Sequence, residues 1–161
     1  MKIAIKVDSE RVIQAFNQAP MVVAANLRSG LDRAAMTMVT AARDELRAND
    51  SVSMSTLLQS IAFQSVGTYE REVSPNTDYA MYVEKGTQPG YYPPTYAIAS
   101  WIRSRGGQTD SVFKVKRHIF QHGTKAHPFW EPAFNNAEPK MTDIVARYVE
   151  RGVERAFGGG A

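Results

Sequence analysis

The sequence predicts an α+β protein: a long kinked N-terminal helix and a C-terminal helix packed on a small antiparallel sheet. Three observations carry that expectation. Apolar residues recur every three or four positions from Val23 to Leu46, and again from Met141 to Phe157, which is the period of amphipathic helices. Between them, residues 61–64 and 69–73 alternate apolar and polar, the period of half-buried strands. Helices and a sheet that each carry one apolar face bury those faces by stacking in layers.

The elements follow in order. Residues 2–7 place Ile3, Ile5 and Val7 on one face and Lys2, Ala4 and Lys6 on the other, a short strand. Asp8 or Ser9 can cap a first helix over residues 9–18, whose apolar side is Val12, Ile13 and Phe16, with Glu10 favouring the positive end of its dipole. Pro20 disfavours helix at Ala19, so the kink falls there and Pro20 opens the second, longest helix. Its stripe is Val23, Leu27, Leu31, Ala34, Met38, Ala42 and Leu46. Gly30 costs such a helix about 1 kcal/mol relative to alanine, and marks a close crossing. Met36 and Met38 read as fillers of gaps. Asn49 and Asp50 end the helix.

After the serine-rich loop over residues 51–55, Thr56 and Gln59 fit a capping box for one short turn carrying Leu57 and Leu58. A hairpin follows, with Ile61 and Phe63 going out, a turn at Gly67-Thr68, and Tyr69, Arg71 and Val73 returning. Residues 79–84 alternate as a further strand, with Tyr79, Met81 and Val83 on one face. Thr95 caps a helix through Ile98, Trp101 and Ile102, ended by Gly106-Gly107. Over residues 111–121 both periods fit. Helix is favoured, because Lys114, Arg117 and His118 fall off the set Val112, Val115 and Ile119. Asn135 and Asn136 lead into the last helix, with Met141, Ile144, Val145, Tyr148, Val149, Val153 and Phe157 as its stripe. A single domain is expected over residues 1–157, and a flexible glycine-rich tail over 158–161.

Composition narrows the function. The chain has 161 residues, 43% of them hydrophobic and 22% charged, enough for a core and too apolar for wholesale disorder. With no cysteine there are no disulfides or thiolate metal sites, which agrees with a reducing compartment. The first residues lack the apolar core of a signal peptide, and no run approaches the roughly 20 apolar residues of a membrane span. No nucleophile elbow or phosphate-cradling glycine loop occurs, and the scattered acids single out no catalytic pair, so no enzyme and no cofactor is expected. His118, His122 and His127 cluster, but the second carboxylate a metal site would want beside Glu131 is missing, and no metal is expected. Net charge is +3. Arg103, Arg105, Lys114, Lys116, Arg117 and Lys125, interleaved with Trp101, Phe113 and Phe120, form a basic segment able to track phosphates. A solvated helix face explains the same residues.

Residues 123–134, Gly-Thr-Lys-Ala-His-Pro-Phe-Trp-Glu-Pro-Ala-Phe, are the densest feature of the chain. Pro128 and Pro132 bar an uninterrupted helix or a central strand, while Phe129, Trp130 and Phe134 need burial or a partner. The stretch is a core plug or a docking surface. It has an echo. Val83-Glu84-Lys85-Gly86-Thr87 followed by Tyr91-Tyr92-Pro93-Pro94 parallels Gly123-Thr124-Lys125 followed by Pro128-Phe129-Trp130. Two proline-aromatic turns exceed what one plug requires and suggest a paired surface.

Those two motifs, residues 79–87 and 123–134, resemble the tail-completion proteins of long-tailed bacteriophages, of the minor tail protein Z type and the related tail-component and virion-morphogenesis families. The resemblance spans most of the chain. In shorter members the Val-Glu-x-Gly-Thr element runs almost directly into the Pro-Phe-x-x-Pro-Ala element; here residues 96–122 intervene. The resemblance implies a structural virion protein at the head-proximal end of the tail, assembled in the host cytoplasm. It also implies a homo-oligomeric ring, hexameric, joining tail to head. Its neighbours would be tail tube or tail terminator proteins and head-completion proteins, with DNA passing and no membrane. Gly86, Thr87, Tyr91, Tyr92, His127, Pro128, Phe129 and Trp130 are the expected interface, with Phe129 and Trp130 as anchors.

Overall fold

The computed structural model describes residues 2–6, 21–49, 55–104 and 106–157. The expected helix over 9–18, the kink at Ala19, most of the serine-rich loop and the tail over 158–161 lie outside them. The architecture is α+β, with β1 (Ile3–Lys6), α1 (Met21–Ala48), α2 (Ser55–Ser60), β2 (Ile61–Gly67) and β3 (Glu70–Pro75). Then come α3 (Ala80–Lys85), α4 (Thr95–Ser104), a 3-10 turn (Thr109–Ser111), α5 (Val112–His122) and α6 (Trp130–Phe157). Among the described residues no helix is long and apolar enough to cross a membrane. The described chain forms two compact units, residues 42–61 with 75–133, and residues 2–41 with 62–74 and 134–157.

In the unit built from residues 2–41, 62–74 and 134–157, the strand order is β1-β3-β2, with β1 antiparallel to β3 and Ile3 opposite Val73. The apolar stripe of α1 is buried as its spacing requires, with Val23, Leu27, Leu31, Ala34 and Met38 all inside; Met36 is exposed. Arg71 of β3 is buried and donates to the Asp32 carboxylate of α1, and to the Gly67 and Glu70 carbonyls at 3.2 and 3.0 Å. A charge without water is tolerated when paired in this way. Helices α1 and α6 cross at two glycines. A Cβ on Gly30 would stand 2.8 Å from Tyr148 Cβ, and one on Gly152 would stand 3.1 Å from Val23 Cα. The close crossing expected at Gly30 is therefore present. Because Gly152 turns toward α1, Val153 is exposed and leaves the stripe assigned to it.

In the other unit, the Arg43 guanidinium donates to the Leu58 and Ile61 carbonyls at 3.0 and 2.8 Å, satisfying the end of α2. Ile98 and Ile102 of α4 pack on Val112 and Ile119 of α5, with Trp101 and Val115 against them. The helix expected over 111–121 is α5.

Three expectations are corrected. Residues 79–84 are not a strand: Ala80–Lys85 is helical, and Ala80, Val83 and Glu84 form its buried side, a spacing of three and four. The third strand of the sheet is β1 instead. The hairpin turn falls at Thr68-Tyr69, one residue later than Gly67-Thr68. The last helix begins at Trp130, ahead of Asn135. Pro132 is its third residue, where a backbone N–H has no helical partner to lose, so the proline is compatible with a helix start.

Candidate functional site

Two helices of the unit containing α3–α5 end alike. Gly86 follows α3 and Gly123 follows α5, at φ 65° and 72°. Each donates its N–H to the carbonyl four residues back, Tyr82 at 3.0 Å and Ile119 at 2.7 Å. The threonine after each glycine pairs with the other. Thr87 and Thr124 exchange N–H to carbonyl bonds at 3.1 and 3.0 Å as an antiparallel bridge, and their hydroxyls lie 3.1 Å apart. A Cβ on Gly86 would collide with the Thr124 carbonyl oxygen, and one on Gly123 with that of Thr87. Both the φ values and the close approach demand glycine. The sequence echo is thus a clasp between two turns 37 residues apart.

Glu84 locks the clasp to α6. Its buried carboxylate accepts from the Phe129, Trp130 and Glu131 N–H groups at 2.8, 3.0 and 3.3 Å. These are orphan donors at the positive end of the helix dipole, so a carboxylate there is both bonded and compensated. The His127 N–H donates to the Val83 carbonyl at 2.8 Å, and the Asn49 side chain to the Pro128 carbonyl at 2.7 Å. Glu84 was not singled out from sequence, yet a signal existed. Ala126-His127-Pro128-Phe129 offers no Ser, Thr, Asp or Asn to cap the helix that follows, so its cap had to come from elsewhere in the chain.

The expected interface residues divide. Phe129 and Trp130 are 0% and 3% exposed and meet edge-to-face with ring centroids 6.0 Å apart. Their rings belong to the core, which overturns their expected place as surface anchors. Gly86, Thr87, Tyr91 and His127 are half-buried, and Pro128 and Tyr92 are exposed. Exposed aromatic surface lies nearby instead: Tyr92 at 54%, Tyr96 at 60%, Phe113 at 71% and Phe120 at 46%. Tyr92 and Phe120 stack edge-on at 6.0 Å. Phe113 and Phe120 are seven apart on α5, off its buried set, so helical arithmetic could have found them. The Tyr91 hydroxyl donates to that of Tyr82 at 2.5 Å, and this bond, with partial burial and the nearby Tyr82 and Tyr96 phenols, pushes the Tyr91 phenol up to about 12.

The basic residues divide too. Arg103, Lys114, Arg117 and Lys125 are exposed, and Arg105 lies outside the described residues. Lys116 is buried; its ammonium donates to the Thr95 hydroxyl at 2.8 Å and sits 4.2 Å from the Tyr92 ring centroid. It is therefore withdrawn from the DNA-facing set. His118 and His122 stack with centroids 4.5 Å apart, and among the described residues no three His, Asp or Glu side chains converge.

Between α3, α4, α5 and the clasp lies an open cavity of about 520 Å³. Tyr82, Val83, Ile98, Trp101, Val115 and Ile119 wall it, and Lys114, His118, Lys125 and His127 stand around it. The chain matches no family model, no curated protein and no solved structure.

Proposed function

We propose that this chain is a structural virion protein at the head-proximal end of a long phage tail, where copies form a ring, hexameric, that completes the tail and helps join it to the head. The observation carrying this reading is the bonding of Glu84 to residues 129–131 together with the Thr87–Thr124 bridge. The two elements on which the family resemblance rests are one structural unit here, although residues 88–122 separate them. The intervening segment leaves from and returns to the clasp, as an insertion that preserves the motif would. A second support is the exposure of Tyr92, Tyr96, Phe113 and Phe120, of which Tyr92 and Phe120 meet edge-on; exposed apolar surface is what a protein contact uses. It replaces Phe129 and Trp130 as the source of anchors. Tail tube or terminator proteins and head-completion proteins are the neighbours this reading assigns.

Light scattering on the purified protein and electron microscopy of particles lacking it test the proposal. A multimer that Phe113→Glu with Tyr96→Glu reduces to folded monomers, and particles arrested as free heads and free tails, are expected. Normal joined virions would sink the reading.

One observation favours a second function. Along α5 the exposed rings of Phe113 and Phe120 flank the exposed cations Lys114 and Arg117, an arrangement that suits stacking on bases beside phosphates. A monomer that binds single-stranded oligonucleotides, with affinity falling steeply as salt rises, would replace the ring by this alternative.

A further inference from the structure

The cavity has a chemistry that ring assembly does not use. Its walls are the apolar faces of Val83, Ile98, Val115 and Ile119 and the rings of Tyr82 and Trp101. Its charged groups are of one sign: Lys114 and Lys125, accompanied by the imidazoles of His118 and His127, and among the described residues no acid lines it. Glu84, next in the chain to Val83, has its carboxylate committed to the start of α6. The segment from which most of the lining comes has the same sign: residues 85–130 hold seven Lys and Arg against one acid, Asp110. The cavity opens to solvent, and its volume of about 520 Å³ falls among small-molecule sites of roughly 300–1,000 Å³. Apolar walls of low dielectric focus the field of the lysines on the opening, so the site draws an anion and shelters what is attached to it.

We infer that this cavity binds a small amphipathic anion, with an aliphatic or aryl body between Ile98, Trp101 and Ile119 and a single carboxylate, sulfonate or phosphate head on Lys114 and Lys125. The clasp preorganises the site. Thr87 and Thr124 both line it, and their bridge holds α3 and the end of α5 together before any ligand arrives. The inference stands independently of the ring, since every group it uses lies within one chain.

The test uses the full-length protein and anilinonaphthalene sulfonate, an apolar bicycle with one anionic head. The dye should bind the native chain at a single site and brighten. Octanoate should displace it; octylamine, with the same chain and the opposite charge, should not. The double variant Lys114→Glu, Lys125→Glu alters two exposed side chains, so native circular dichroism is expected while octanoate affinity falls by about tenfold or more. Lys140→Glu, an exposed change on α6, should leave affinity unchanged. Failure of the dye to bind the native chain, equal displacement by octylamine, or undiminished octanoate binding by the double variant would each overturn the inference.

Discussion

At the scale of single residues, Glu84 shows how much one buried carboxylate decides. It accepts from the Phe129 N–H just ahead of α6 and from the Trp130 and Glu131 N–H groups that open the helix, which has no cap of its own. Glutamine there keeps one acceptor oxygen, turns an amide donor toward backbone donors and removes the charge that the dipole favours. Glu84→Gln is expected to cost about 1–3 kcal/mol, read as a lower urea midpoint at unchanged slope. Glu138→Gln, an exposed control on the same helix, should cost nothing measurable. Tyr91 gives a prediction in pH. Its phenol is held neutral up to about 12 by the hydrogen bond to Tyr82. The fold thus favours the protonated form. That contribution is complete below the ordinary phenol range near pH 10, and disappears as pH climbs from there to about 12. Ultraviolet titration of the native protein should show one tyrosine ionising last, and Tyr82→Phe should bring it back among ordinary phenols. A last phase that survives in Tyr82→Phe would refute the assignment.

At the scale of elements, α6 runs for 28 residues with Pro139 inside it. The ring removes the N–H that would reach the Asn135 carbonyl and crowds that carbonyl, and the side chain is exposed, so it offers no packing in return. Pro139→Ala should therefore raise stability by about 1–3 kcal/mol, which for a chain of this length is about 2–4 °C of melting temperature per kcal/mol. An unchanged or lower melting temperature would mean that the proline fits a bend the fold requires. The long helices were legible because seven-residue stripes average out local accidents: every member of the α1 stripe, from Val23 to Leu46, is buried. The short segment over residues 79–84 offered no such averaging. Tyr79, Met81 and Val83 alternate, but Ala80, Val83 and Glu84 fit a helix equally well over six residues, and the choice fell to the contact of Glu84 with α6. The start of α6 was hidden for a related reason, since two prolines read as breakers until Pro132 is seen at a position that tolerates one. At the site, the Gly-Thr echo was visible in the sequence, but that its halves bond each other was not, because nothing local encodes a contact across 37 residues. The basic segment was legible as composition. Which cation points inward was not: Lys116 is buried while Lys114 is exposed, a matter of the phase of α5 against α4.

At the scale of the whole molecule, charge is unevenly placed, and this bears on the symmetry of assembly. Residues 85–130 carry seven Lys and Arg and one acid, a net +6. The chain totals +3, so the remainder carries −3. Tyr92, Tyr96, Phe113 and Phe120, the exposed aromatics proposed as anchors, all belong to the positive segment. In a two-fold dimer the same patch meets itself, which brings two segments of +6 together. In a ring, one patch meets a different surface of the next copy, and the rest of the chain has the opposite sign. Salt screens both cases, with opposite consequences. Heterologous contacts should weaken as sodium chloride rises from about 50 to about 500 mM, where the screening length shortens from beyond 10 Å to a few ångströms. Self-pairing of the patches should strengthen over the same range as their repulsion is removed. Sedimentation velocity across that series reads the sign directly. The ring reading requires a multimer that dissociates with salt, and Lys114→Glu should shift its dissociation to lower salt. A dimer that tightens with salt would establish two-fold pairing and exclude the ring.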